Sequence, residues 1–274
     1  MMSIERVKKF FSEDHQQIEG WFFPLDQLAF IELFSVQDQL QIKGDVAEVG
    51  VYHGKSLVLL SLLKGPDERL LGFDLFDQDH QQKTERNIQN YGVDAELSLI
   101  KGLTSEIAHS DLDAMIPNPL RFLHIDAGHE YHEVLEQLYL FSPYLADLGI
   151  VAMDDYQDRE FPGIEAAVLD FAEVDRPRRF VPFLASGNKL FMCFSPMAAT
   201  LQKLLITRPN FKDTCRLTRV RDFNIVIMRS KLPVPSEAIA AQIERLNFPQ
   251  RLGHEISLNE KSHRFSQRTF GTGE

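Results

Sequence analysis

Five short apolar runs recur along the chain: DVAEVG (45–50), RLLGFDLF (69–76), AELSLI (95–100), LRFLHID (120–126) and GIVAMDD (149–155). Stretches of helical length separate them, including SLVLLSLL, a polar segment near 79–91, one carrying Val134, Leu135, Leu138 and Phe141, and one near 162–174. Short β runs alternating with helices pack as a parallel sheet covered on both faces. The rhythm changes after residue 174, where RFVPFLAS and KLFMCFS flank Gly187-Asn188, a turn suited to a hairpin. The expected fold is therefore α/β: a doubly wound, mostly parallel, seven-stranded sheet closed by an antiparallel hairpin. A single domain over 1–274 is expected, with a helical cap or lid at 1–43, an α/β core at 44–195 and a C-terminal extension at 196–274. Within the extension the pattern predicts a helix near 197–207, a strand at 223–230, a helix near 235–247 and a polar tail from about 250.

Composition narrows the function classes. With 44% hydrophobic and 25% charged residues, the 274-residue chain can bury a substantial core. A formal net charge of -11 speaks against non-specific nucleic-acid binding, which needs clustered Lys and Arg against phosphate. The opening MMSIERVKKFFSEDHQQ is too charged for a signal peptide, and no apolar run approaches ~18 residues, so no membrane partner and a cytoplasmic location are expected. Of two cysteines, Cys193 lies in an apolar run and reads as a buried free thiol. Oligomeric state is not readable here, and a homo-oligomer stays open.

The turn after the first strand is Glu48-Val49-Gly50-Val51-Tyr52-His53-Gly54-Lys55-Ser56. Glycine at a strand end lets backbone approach a ligand, and a helix start favours negative charge. Any tight βα turn also uses glycine, so spacing has to discriminate. Three residues separate Gly50 from Gly54, which matches neither G-x-G-x-x-G nor the phosphate-loop G-x-x-x-x-G-K-[ST]. Asp74, 24 residues beyond Gly50, ends the second strand, where a carboxylate can accept from both ribose hydroxyls. The plainer reading of Asp74 is a helix cap, for which Asp77 and Asp79 are better placed.

Asp126 ends the fourth run, and Asp154-Asp155 ends the fifth. Ligands of open α/β sheets bind outside the carboxyl ends of strands. Three acids on two adjoining strand ends repel one another, and a divalent cation would resolve that conflict. All-oxygen donors favour Mg²⁺ or Mn²⁺ over zinc. The competing reading is that one Asp caps a helix and another meets Arg159 or Arg121. His129 stands three residues after Asp126, and histidine as a residue type suits a general base, a fourth ligand or a cap. His124 reads as a strand-interior residue and His132 as a helix-surface one. Trp21, Phe22 and Phe23 read equally as cavity entrance and as core.

Val46 to Ser56, LLGFDLFD, HIDAGHEYHEV and GIVAMDDY together resemble class I S-adenosylmethionine-dependent methyltransferases, nearest the branch of macrolide-sugar O-methyltransferases such as the macrocin and mycinamicin enzymes. The resemblance spans roughly residues 20 to 195. It implies a cofactor turn of Glu48, Gly50, Val51, Tyr52, Gly54 and Ser56, a ribose contact at Asp74, and an adenine neighbour in the turn from Gly102 through Thr104 to Ser105. It further implies Asp126, Asp154 and Asp155 as Mg²⁺ ligands, with Asp126 also beside the cofactor, and His129 as base. Ala127 and Leu148-Gly149 depart from the family's glycines without touching the acids. The implied reaction is methyl transfer to a hydroxyl of a small polar acceptor, a sugar or other secondary metabolite, with a vicinal diol fitting the metal. Two alternatives stay open: oxidation of the cephalosporin-hydroxylase type on the same fold, and a non-catalytic adenosyl-ligand module. A dehydrogenase ranks last because the glycine spacing is wrong.

Overall fold

The computed structural model describes residues 4–93, 96–174, 179–208, 211 and 214–229. The expected helix near 235–247 and the polar tail lie outside the described residues.

The five apolar runs form β1 (Asp45–Val49), β2 (Leu70–Asp74), β3 (Leu97–Lys101), β4 (Leu120–Ile125) and β5 (Leu145–Met153), and all four pairings among them are parallel. The hairpin forms β6 (Phe180–Ser186) and β7 (Lys189–Phe194), with β7 antiparallel to β5. The expected seven strands are thus present, and two more continue the sheet: β8 (Cys215–Val220) and β9 (Phe223–Met228). The complete order is β3-β2-β1-β4-β5-β7-β6-β9-β8. Only β9 was legible in the sequence. CRLTRV alternates polar and apolar residues on an exposed sheet edge, so it lacks the apolar run that marks a buried strand.

Between the strands run α3 (Lys55–Leu63), α4 (His80–Tyr91), α5 (His109–Met115), α6 (Tyr131–Phe141) and α7 (Pro162–Glu173); α1 (Ile4–Lys9) and α2 (Pro24–Gln39) precede the sheet and α8 (Ala198–Ile206) follows β7. Thr104–Glu106 is a single 3-10 turn, and α5 begins later at His109. Side chains alternate across the sheet. Val46, Phe122 and Ile150 pack with α2 and α3 in one core, while Ala47, Leu123 and Val151 pack with α6 and α7 in the other. The helix α2, within the span expected as a cap, packs into the core against the sheet. Every residue of α2 from Asp26 to Gln37 is buried, and Phe30 lies edge-on to Phe122, His124 and Phe191.

Two titratable side chains are fixed inside this frame. Arg121 is fully buried on β4, and its guanidinium binds Glu68 at 2.7 Å and Asp38 at 2.9 Å beneath the Phe34 ring. Cys193 is a buried free thiol, as expected, and burial pushes its pKa up.

Candidate active site

A cavity of about 800 Å³ opens at the carboxyl ends of β1, β2, β4 and β5. Backbone hydrogen bonds carry the ladder one residue past each strand: Gly50 N–H to the Phe73 carbonyl, Asp126 N–H to that of Val49, and Asp154 N–H to that of Ile125. These bonds bring the glycine turn and the acids to one wall.

Gly50 is left-handed at φ +87°, and a β-carbon there would meet the Asp126 carbonyl oxygen at 1.9 Å. Its first task is the crossing of two backbones, so the simple ligand-approach reading is incomplete. Gly102 is the opposite case: at φ +146° nothing lies within 4 Å of a β-carbon, so its backbone faces open cavity. Glu48 is fully buried; one oxygen accepts from Ser56 Oγ and lies 2.6 Å from His124 Nδ1, its register partner on β4. Burial holds the His124 pKa below its usual range, so the ring is neutral. Nδ1–H then donates to Glu48, and Nε2 is a buried acceptor without a partner.

Asp74 organises the turn directly. One carboxylate oxygen accepts from the amides of Val51 at 2.7 Å and Tyr52 at 2.9 Å, and the other from Phe76 at 2.7 Å. A carboxylate has about four lone-pair sites, so a ribose contact remains compatible with these three bonds. Thr104 and Ser105 line the same end of the cavity. Glu19 Oε1 accepts from Tyr52 OH at 3.1 Å, and Lys55 Nζ donates to the Gly20 carbonyl at 2.8 Å, tying the segment before α2 to the turn. That segment carries both readings of its aromatics: Trp21 is 86% exposed at the mouth, and Phe22 is buried against Phe30.

The acids separate into two groups. Asp126 and Asp154 share a hydrogen bond; burial and the Asp154 charge raise the Asp126 pKa well above the carboxylate range. Burial alone would raise Asp154 too, but Lys189 outweighs it and holds that carboxyl low. The Lys189 ammonium sits directly on Asp154 Oδ2 with its side chain almost wholly buried. Neither Arg121 nor Arg159 takes that place. Asp155 turns elsewhere, in the left-handed region at φ +52°, with Oδ1 accepting from Asn188 Nδ2 at 3.0 Å and Oδ2 lying 3.2 Å from His129 Nε2. The His129 ring stacks on Phe161 at 4.1 Å, and its backbone N–H donates to Glu133 in the capping box of α6.

Among the described residues, the donors that converge for a metal are one atom each from His124, Asp126 and Asp154, within 4.8 Å of one another. The expected trio therefore meets in only two of its members, because Asp155 is held by His129 and Asn188. Hard carboxylate oxygens in that pair fit Mg²⁺ or Mn²⁺. Lys189, Asn188 and Phe161 were missed at the sequence level. Lys189 left one signal: a lone cation beginning the apolar run KLFMCF is rarely buried unless paired.

Residues 47–156 match the family model described as a methyltransferase domain. An uncharacterized protein of Acanthamoeba polyphaga mimivirus is 28% identical over 139 residues, which is 50% of this chain and 62% of that protein, so under two thirds of the relative is spanned. Among solved structures, the O-methyltransferase NovP aligns over 61% of this chain and 78% of its own at 18% identity and a TM-score of 0.51. An O-methyltransferase from Bacillus cereus, in complex with SAH, aligns over 69% and 88% at 14% identity and a TM-score of 0.50. At such identities they establish the fold, the Rossmann-like sheet of methyltransferases. The matched segment holds the glycine turn, Asp74, Asp126, His129, Asp154 and Asp155. Lys189 and Asn188 lie beyond it, on the hairpin. Among the described residues, no helix is long and apolar enough to cross a membrane.

Proposed function

We propose that this methyltransferase transfers the methyl group of S-adenosylmethionine to a hydroxyl oxygen of a small polar acceptor, a sugar or comparable secondary metabolite. The observation that carries the reading is a single cavity with two chemically distinct ends. The turn from Gly50 to Ser56, Asp74 and the open backbone at Gly102 form one end, and Asp126, His129, Asp154 and Asp155 form the other. The first end suits an adenosyl group and the second a hydroxyl whose proton must leave. His129 is the proposed base: Asp155 and the Phe161 ring orient its imidazole, and 44% exposure of its side chain leaves room for an acceptor. Magnesium or manganese held by Asp126 and Asp154, with Asp155 on the same wall, would supply Lewis acidity that eases hydroxyl ionisation. The side chains of this wall fix the acceptor relative to the sulfonium, which is the larger part of catalysis by positioning.

Calorimetric titration with S-adenosylmethionine and with NAD, each with and without Mg²⁺, tests the cofactor. Binding of S-adenosylmethionine alone is expected, and preference for NAD would overturn the reading. Turnover of Asp154→Ala and Asp155→Ala variants against Mg²⁺ concentration tests the metal, since undiminished, metal-independent turnover in both would remove it.

A further inference from the structure

The hairpin between β6 and β7 meets the acids of the cavity with two consecutive residues, the first of which lines the cavity itself. Asn188 Nδ2 donates to Asp155, and the Lys189 ammonium lies on Asp154. The Asn188 carbonyl accepts from the Tyr156 N–H at 2.7 Å, so the segment Asp154–Tyr156 is gripped on both sides of the left-handed Asp155. The hairpin is locked in turn from α2: Asp26 accepts from Ser186 Oγ at 2.7 Å and from the Asn188 N–H at 3.3 Å. The Lys189 side chain is only 1% exposed, and its ammonium lies 5.5 Å from the centre of the buried Phe22 ring. A charge so placed does not serve solubility, and a buried ammonium persists only where anions compensate it.

We infer that Lys189 is the built-in counter-ion and a positioning residue of the acidic site: it presents Asp154 to the cavity and competes with a divalent cation for that carboxylate. The inference rests on the metal reading above and adds to it. Asp126 and Asp154 face each other with one resident positive charge already against Asp154, so the pair is held in shape without an ion. An incoming Mg²⁺ meets a site one unit less negative than its carboxylates alone would make it. Bound metal alone is therefore weak in this protein, and Lys189 sets how weak. The hairpin lies outside the segment that matches the family model.

The test uses the full chain as wild type, Lys189→Gln and Lys189→Arg. Glutamine keeps a donor for Asp154 and removes the charge; arginine keeps the charge. Each protein is titrated by calorimetry with MgCl₂ and MnCl₂ alone, and its melting temperature is followed with and without each salt. Lys189→Gln is expected to bind Mg²⁺ at least about tenfold more tightly than wild type, since a unit charge a few ångströms away acts strongly on a divalent ion. Lys189→Arg is expected to stay near wild type. If Lys189→Gln folds poorly, Mg²⁺ should raise its melting temperature by more than it raises that of wild type. Equal Mg²⁺ affinity and equal thermal response in both proteins would overturn the role of Lys189 and leave the metal reading standing. Absence of binding to either protein would overturn both.

Discussion

Gly50 and Asp126 meet through their backbones: the α-hydrogen face of Gly50 lies so close to the Asp126 carbonyl that a β-carbon would stand 1.9 Å from its oxygen. The contact joins the glycine turn to the first acid, and it has no side chain that could rotate away. Gly50→Ala must therefore shift β1 against β4 as well as strain a left-handed residue at φ +87°. We expect a loss of about 3 kcal/mol or more, read as a lowered denaturation midpoint, and no measurable cofactor binding. A variant of wild-type stability would show that the two strand ends can part freely.

His129 is fixed by three contacts that sequence alone did not specify: Asp155 at one ring nitrogen, Phe161 on its face and Glu133 at its backbone. If it is the base, His129→Ala should lower kcat by roughly 10²–10⁴-fold while leaving S-adenosylmethionine affinity unchanged. Phe161→Ala should cost less, since it loosens the ring without removing it. Steady-state kinetics beside calorimetry separates the two effects, and a His129→Ala enzyme within threefold of wild type would assign the proton to another acceptor.

The strands and the acids were legible for the same reason. A buried parallel strand is an apolar run, and an acid that closes such a run has to lie at the sheet's carboxyl edge. Asp74, Asp126 and Asp154 could be placed by that rule alone. What lay hidden depended on contacts far apart in sequence. Lys189 pairs with Asp154 across 35 residues of chain, and Asp26 reaches Ser186 across 160. Neither spacing carries a periodicity, because the link is made by the antiparallel turn of the hairpin back along β5. The direction of Asp155 was hidden for a local reason: positive φ at a non-glycine residue turns its side chain away from the strand's alternation. The exposed edge strand β8 was hidden because alternation without a buried face is a weak signal.

Asp26 gives the fold a pH dependence with a definite sign. Burial lifts its carboxyl to about 7, Lys189 and the Ser186 hydroxyl oppose the rise, and the Asp154 charge adds to it. The unfolded chain ionises Asp26 near pH ~4. Between that pH and 7 the folded state binds the extra proton, so this group's contribution to stability is largest at the acid end and falls as pH rises through the interval. Asp26→Asn imitates the protonated form and should flatten the slope of stability against pH over that window. Denaturant titrations of both proteins between pH 4 and 8 check it, and identical slopes would mean that Asp26 is ionised in the fold throughout.

Arg121 separates stability from chemistry. Its guanidinium is fully buried, and its strongest partner is the buried Glu68, whose same oxygen also receives the Gly65 amide. The second partner, Asp38, is 41% exposed on its side chain and is screened by water. Removing the arginine strands Glu68 in the core, so Arg121→Met is expected to cost about 3–5 kcal/mol. Lost attraction alone would not be recovered by a second change, whereas an unpaired buried charge would. Arg121→Met with Glu68→Leu should therefore regain more than half of the loss. Because neither residue lines the cavity, S-adenosylmethionine affinity of the folded double variant should match wild type. Chemical denaturation and calorimetry on the four proteins of this cycle decide the matter. A double variant no more stable than Arg121→Met would show that the guanidinium holds β4 by packing against Phe34 rather than by neutralising Glu68.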